Sequence, residues 1–398
     1  MFKNHADDVK PLVYLDNAAT TFKPQCVVDA VVRYYTEESV NVHRGDYDLS
    51  YQVSQAYEQT REVVADFIHA QPKEIVFTAG ASASLNLIAY GYGQKFLKKD
   101  DVILLTEAEH ASNILPWYRV AEVTGAKVEF IPLNEEGQLT VENFRKVMND
   151  KVRIVSVADV TNVLGYIAPI REITEIAHEY GAIVSCDGAQ SVPHIPTNVK
   201  EWGVDLLSFS AHKMCGPTGV GVLYGKYELL ESMDPFMLGG GSNARFDDCG
   251  NVTLKHAPYK FEAGTPAIEA VLGLQQAVLY LQSVGMENIE AYERSLKKYA
   301  IEKLKKLDNV ILYNADSTTG IIAFNIKDVF AQDAAGYLSS KGIAVRSGNH
   351  CAKILVNVLN TSETIRASLY FYNTKEDIDR FVQACSEITL ENCVGIFF

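Results

Sequence analysis

A lysine stands directly after an apolar run in Asp205-Leu206-Leu207-Ser208-Phe209-Ser210-Ala211-His212-Lys213-Met214-Cys215-Gly216-Pro217-Thr218-Gly219. Val204 to Phe209 reads as a short buried strand. The polar turn after it brings together a small hydroxyl (Ser210), an imidazole (His212) and the amine of Lys213. A lysine held where a strand ends is partly desolvated, which lowers its pKa and makes the amine a nucleophile toward carbonyl carbon. Lys297, Lys298, Lys303 and Lys305, by contrast, share a charged helical stretch. Taken alone, Ser-x-His-Lys is better read as a loop lysine whose amine reaches water. Asp187, at the end of an earlier apolar run, changes that balance.

The elements that must position these groups alternate along the chain. Leu12 to Leu15 is a short apolar run, and helical periodicity covers Val27 to Glu37 and about Ser50 to Ala70. Glu74 to Phe77 reads as a strand that enters the small-residue turn Thr78-Ala79-Gly80-Ala81-Ser82-Ala83-Ser84. A helix over Leu85 to Leu97 follows, so Ser82 and the Ala81 N–H face an anion site at a helix N-terminus. Strands are predicted at Val102–Leu105, Lys127–Ile131, Ile154–Val157, Ala182–Ser185 and Val204–Phe209, with helices at Ile114–Thr124, Val141–Met148 and Ile170–Tyr180. Strands apolar throughout, separated by amphipathic helices, imply an α/β protein whose mostly parallel sheet is covered on both faces. Ligands bind beyond the carboxyl ends of such strands. His110, Asn162, Asp187, Gln190 and Lys213 all fall there, so one site is expected.

Composition bounds the rest. With 398 residues, two domains are expected. The division predicted is 16–276 for a large domain, with 1–15 and 277–398 forming a smaller α+β domain. A 47% hydrophobic and 22% charged composition is that of an ordinary globular protein. The formal charge of −14 argues against binding a phosphate backbone, so no nucleic acid is expected. Met1 to Lys10 has no apolar leader and no run is long enough to span a bilayer, so no membrane is expected either. The 7 cysteines are scattered without a C-x-x-C pair, which points to a reducing, cytoplasmic setting and away from disulfides or a metal site.

The ligand follows by elimination and by chemistry. Gly219-Val220-Gly221 does not complete a dinucleotide fingerprint, because Tyr224 occupies the third glycine position, and no phosphate loop of the G-x-x-x-x-G-K type is present. A carbonyl-bonding lysine with a separate buried aspartate is the arrangement pyridoxal phosphate requires. The aspartate keeps the ring nitrogen protonated, and the ring then accepts electrons from the substrate α-carbon. His110 can stack on such a ring, Asn162 and Gln190 can hydrogen-bond its phenolic oxygen, and Ser82 with the Ala81 N–H can hold its phosphate. Singly, His110 could be a helix cap, Asn162 a turn residue and Gln190 a surface amide. Together with Asp187 and Lys213 they read as one cofactor site.

The ordered motifs Tyr14-Leu15-Asp16-Asn17-Ala18-Ala19, Val42-His43-Arg44-Gly45, Glu109-His110, Asn113-Ile114-Leu115-Pro116-Trp117, Asn162-Val163-Leu164-Gly165 and Asp187-Gly188-Ala189-Gln190 run through the first half. Ser210-Ala211-His212-Lys213, Phe261-Glu262-Ala263-Gly264-Thr265-Pro266, Arg346-Ser347-Gly348-Asn349-His350-Cys351 and Arg366-Ala367-Ser368 complete the series. In these the chain resembles class V aminotransferase-fold enzymes, and within them cysteine desulfurases of the SufS/CsdA type (group II, NifS-like), over nearly its whole length. The resemblance implies fold type I with a seven-stranded sheet, and Lys213 as the residue that carries the cofactor. Ser210, His212 and Ser82 would bind its phosphate, as would Thr265 reaching across from the other subunit of a homodimer.

The last third carries what sets such an enzyme apart. Ile321–Ile326, Ile343–Arg346 and Thr364–Leu369 read as strands, and Asp333–Lys341 and Lys375–Ser386 as helices. A free cysteine is in general a buried small hydrophobe, as expected for Cys26, Cys186 and Cys385. Cys351 differs, because it lies in a Gly/Asn/His loop with His350 and Arg346 close by, and such neighbours favour the thiolate. The resemblance then implies that L-cysteine displaces Lys213, with Arg366 pairing the substrate carboxylate and Lys213 or an imidazole removing the α-proton. Arg346 and Asn162 join Arg366 around the substrate. Cys351 would take the sulfur as a persulfide and pass it to a SufE-like or SufU-like acceptor for iron–sulfur cluster assembly.

The chain departs from the family pattern in four places. Ala81-Ser82-Ala83 replaces a Thr-Thr-Glu sequence after Gly80, Tyr47 stands where histidine is common, and Ala111 and Asn349 replace titrating residues beside His110 and His350. Two other readings use the same chain: a selenocysteine lyase, and a catalytically silent scaffold subunit of a sulfur-transfer assembly.

Overall fold

The computed structural model describes residues 11–395. The expectations placed on residues 1–10, the lack of an apolar leader and membership of the small domain, lie outside the described residues. A two-residue strand, β1 (Val13–Tyr14), opens the described chain. Seven strands then build one sheet: β2 (Ile75–Thr78), β3 (Val102–Thr106), β4 (Lys127–Ile131), β5 (Val152–Ala158), β6 (Ile183–Asp187), β7 (Leu206–Ser210) and β8 (Gly221–Gly225), in the order β2-β8-β7-β6-β5-β3-β4. The pairs along β7-β6-β5-β3-β4 are parallel, and β8 alone runs against its neighbours β2 and β7.

Side chains alternate across a strand, and both faces of the central strands are dry, while the edge strand β4 exposes Lys127 and Glu129. Leu104, Val155, Val184 and Leu207 enter one core with α1 (Gln25–Glu37) and α2 (Asp48–Phe67). Ile103, Leu105, Ile154 and Leu206 enter the other, against Trp117 and Val120. Each such side chain contributes about 1.5–3 kcal/mol on burial. A charge at Ile103 or Leu104 would therefore break the sheet before it touched any ligand.

A hairpin, β9 (Asn243–Phe246) with β10 (Val252–Leu254), follows the large sheet, and the sequence pattern gave no sign of it. The last third forms an antiparallel sheet from β11 (Val310–Leu312), β12 (Ile321–Ile326), β14 (Arg346–Gly348) and β15 (Thr364–Ser368), ordered β11-β12-β15-β14. The strand expected at Ile343–Arg346 is split. Its first half, β13 (Ile343–Ala344), pairs in parallel with β1, and its second half becomes β14. The helix Lys375–Ser386 starts where Thr374 and Asp377 cap each other's backbone N–H. Phe324, Phe381, Leu338 and Ile378 form the core beneath this sheet.

Three further expectations need correcting. The helix expected over Leu85–Leu97 begins at α3 (Ala81–Ile88) and passes through a π-turn at Ala89–Gly93, so Ser82 lies inside the first turn and Gly80 is the cap. The strand expected to stop at Ser185 continues to Asp187. Cys26 is exposed, because α1 turns Val27, Ala30 and Tyr34 inward and Cys26 falls on the outer face; Cys186 and Cys385 are buried. Among the described residues no helix is long and apolar enough to cross a membrane.

Candidate active site

The carboxyl ends of β2, β3, β5, β6 and β7 converge on a cavity of about 230 Å³. Ala81 and Ser82 reach it after β2, His110 after β3 and Asn162 after β5. Asp187 and Gln190 come from the end of β6, and Ser210, His212 and Lys213 from the end of β7. Arg346, Cys351 and Arg366 close it from the small sheet. Thr265 is the one sequence candidate placed elsewhere: it is exposed, with its hydroxyl 3.3 Å from the Asn41 amide.

At one end of the cavity the turn after β2 presses against β8. A Cβ on Gly221 would come within 2.4 Å of the Gly80 Cα, and Gly80 itself has φ 150°, so both positions need glycine. This close approach brings the Ala81 N–H to 2.7 Å from Ser210 Oγ, which accepts it. The Ala81 N–H, expected to be free for an anion, is thus engaged within the chain, because the close packing of this turn on β8 brings Ser210 Oγ onto it. The Ser210 O–H is left to donate elsewhere. The Ser82 hydroxyl lies 2.7 Å from that of Ser112.

At the other end Asp187 Oδ1 accepts the Ala189 N–H at 3.0 Å. Gln190 Nε2 donates to the Ala18 carbonyl (2.8 Å) and Asn162 Nδ2 to the His350 carbonyl (2.8 Å). Gln190 Oε1 and Asn162 Oδ1 are buried without a partner. His110 Nδ1 accepts the Ser112 N–H at 3.1 Å and so caps a turn while its ring lines the cavity, leaving the ring proton on Nε2. Arg366 is almost fully buried. It donates to the Asn162 carbonyl (2.9 Å) and to Asp16 (3.2 Å), with Nε unpartnered.

A family model described as aminotransferase class V matches residues 13–381. A probable cysteine desulfurase of Halalkalibacterium halodurans is 46% identical over 93% of this chain and 91% of its own. The chain belongs to the cysteine desulfurases of the class V family. A cysteine desulfurase of Haloferax volcanii is 42% identical over 96% of this chain and 90% of its own. Among solved structures, the cysteine desulfurase CsdA of Escherichia coli superposes with a TM-score of 0.89 at 36% identity, over 97% of this chain and 95% of its own. That of Thermococcus onnurineus superposes with a TM-score of 0.91 at 39% identity, over 94% of each chain. The protein is therefore an enzyme of fold type I that acts on cysteine with pyridoxal 5'-phosphate.

The cavity of this desulfurase fits that cofactor. Burial raises the Asp187 carboxyl above its usual range, and a counter-charge inside the cavity would reverse this. Burial lowers the Lys213 amine to about 8; Asp187 opposes the shift and Arg366 and Arg346 add to it. Burial also lowers His110 and His212 to about 4 each, helped by Lys213. The site thus holds an amine that loses its proton near pH 8, neutral imidazoles and one buried acid, with unpartnered amide oxygens between them.

His350 does not support the thiol as expected. Its Nε2 faces the Thr364 carbonyl and hydroxyl (3.1 and 3.0 Å), and burial lowers it to about 3, so it is neutral at Cys351. The positive neighbours are Arg346 and Arg366. Two residues escaped the sequence reading. Asp16 orients Arg366, and Lys23 Nζ binds the His212 carbonyl (3.1 Å) and Thr20 Oγ1 (3.2 Å), fastening the Lys213 turn from below. A lysine directly before Pro24 in an otherwise uncharged loop was the available signal for the second.

Proposed function

We propose that Cys351 is the sulfur carrier of this desulfurase and Lys213 its cofactor-bonding lysine and general base. One observation supports this above all: the Lys213 amine and the Cys351 thiol face the same cavity from opposite sheets. Lys213, Asp187, His110, Asn162, Gln190, Ser82, Ser210 and His212 would hold pyridoxal 5'-phosphate. When bound, it supplies the electron sink that stabilises negative charge at the substrate α-carbon. Arg366 Nε is free for the substrate carboxylate, and Arg346 adds charge at the rim. Near pH 8 Lys213 is a far better proton acceptor than His110 or His212, each at about 4, so the α-proton goes to Lys213 rather than to an imidazole.

The Cys351 thiolate attacks the substrate sulfur. An S–S bond forms, and the C–S bond breaks with its electron pair left on carbon, which takes up a proton. L-cysteine and the thiol become L-alanine and a persulfide, with no external oxidant or reductant. An exposed Cys351 suits transfer to an acceptor of the SufE-like or SufU-like kind, for iron–sulfur cluster assembly in the cytoplasm. Thr265 lies outside its own cavity, as a residue serving the second subunit of a homodimer would. We infer the division into 16–276 and 1–15 with 277–398 on the same footing.

The test is alanine release from L-cysteine by the cofactor-loaded enzyme with a reductant as acceptor, for wild type and Cys351→Ala. Turnover in the wild type alone is expected. Equal rates, or turnover restricted to selenocysteine, would favour a selenocysteine lyase, and no turnover in either would favour a scaffold.

A further inference from the structure

Two consecutive non-glycine residues, His350 and Cys351, have left-handed backbones (φ 50° and 58°). Histidine is among the types found more often in this region but cysteine is not, so the local sequence alone does not hold the pair there. Each of their carbonyls is instead gripped from the large sheet. The His350 carbonyl accepts Asn162 Nδ2 at 2.8 Å, from the turn after β5, and the Cys351 carbonyl accepts the Ala111 N–H at 2.7 Å, from the turn after β3. The Cys351 backbone is pinned while its side chain stays exposed.

From this geometry we infer that the Ala111 N–H and the Asn162 amide form a two-point latch that holds Cys351 toward the cavity in a strained loop. Ala111 and Asn162 are then positioning residues for the thiol. The inference rests on reading Cys351 as the sulfur carrier. Opening the latch lets the loop relax and the thiol turn outward, so two hydrogen bonds separate the pose for attack from the pose for delivery. Ala111 needs no side chain for this role.

Ala111→Pro deletes the point of the latch that holds the Cys351 carbonyl and leaves the Asn162 bond to the His350 carbonyl in place. His110, with φ −66° and ψ 145°, is already extended as a residue before proline must be, and Ala111 opens a 3-10 turn, where proline is accepted. The proline ring also takes the space beside the Cys351 carbonyl. Iodoacetamide labelling of Cys351 in the holoenzyme, followed on the Cys351 peptide by mass spectrometry, is expected to speed up in Ala111→Pro and not in Ala111→Gly, which keeps the N–H. The kcat should fall on the order of tenfold or more, as for a misplaced reacting group, with cofactor absorbance and the KM for L-cysteine unchanged.

Wild-type labelling and wild-type kcat in Ala111→Pro would overturn the latch. Should that variant fail to bind cofactor, amide hydrogen exchange on the wild-type holoenzyme decides: the Ala111 N–H must be protected, and exchange at the rate of an open loop overturns the inference. Activity retained in Cys351→Ala would remove the sulfur-carrier reading but leave the labelling difference untouched, so the two failures are told apart.

Discussion

Lys213 and Cys351 face one cavity but are held by opposite means. All five residues of β7 are buried, and the turn beyond it is fastened by Ala211 N–H to the Val220 carbonyl, by Gly216 N–H to the Ala211 carbonyl and by Lys23 from below. The Cys351 loop has an exposed thiol and two left-handed residues, each costing about 1–2 kcal/mol, offset by donors that belong to other elements. The amine must keep one geometry in a low dielectric, where its pKa is lowered. The thiol must meet two partners, one inside and one outside. Rigidity comes from the chain's own sheet at the first site and from borrowed hydrogen bonds at the second.

The strongest way to break this contrast is at the rigid end. Asp187→Asn keeps the shape of the side chain and removes the charge that would pair with the cofactor ring. A loss of kcat on the order of 10²-fold is expected, the size found when one preorganised electrostatic partner is removed. The apoprotein should move the other way and gain stability, because burial already disfavours the Asp187 carboxylate. Thermal melts with and without pyridoxal 5'-phosphate check both signs. A variant destabilised equally in both states would mean that Asp187 serves the fold and not the cofactor.

A smaller effect sharpens the mobile end. The unfolded chain protonates His350 near 6.5, whereas burial keeps it neutral in the folded protein down to about 3. A depressed folded pKa gives stability that is present above 6.5 and is lost as pH falls toward 3. At pH 5 the loss from this one group is about 2 kcal/mol. His350→Gln, whose amide can still donate to the Thr364 carbonyl, should therefore lose less stability than wild type between pH 7 and pH 5. Parallel melting curves over that range would place the acid sensitivity on other groups.

The same contrast explains what the sequence revealed. Parallel strands buried on both faces write themselves as short apolar runs, so β3, β5, β6 and β7 and the polar residues beyond them were legible. The hairpin β9–β10 is mostly exposed, with no apolar alternation, and could not be read. The end of β6 was set two residues short because Asp187 is a charge inside a strand, which local pattern places in a loop. The partners of Ala81 and His350 went unread for a common reason: Ser210 and Thr364 sit on other strands, 129 and 14 residues away, and no local spacing encodes a contact of that kind. Cys351 was singled out by its loop composition, yet the residues that fix it, Ala111 and Asn162, become visible as a pair only when two strand ends meet.

Cys26 offers the smallest test. It is exposed like Cys351, so thiol reagents reach both, but it lies on the outer face of the first turn of α1 and lines no cavity described for this chain. Cys26 is exposed, and serine differs from it by one atom. Cys26→Ser should leave stability within about 0.5 kcal/mol of wild type and leave turnover unchanged, while one fast-reacting thiol disappears from the labelling profile. A fall in turnover would show that exposure alone, without the cavity and the latch, is enough to recruit a cysteine to this chemistry, and the distinction drawn between Cys26 and Cys351 would fail.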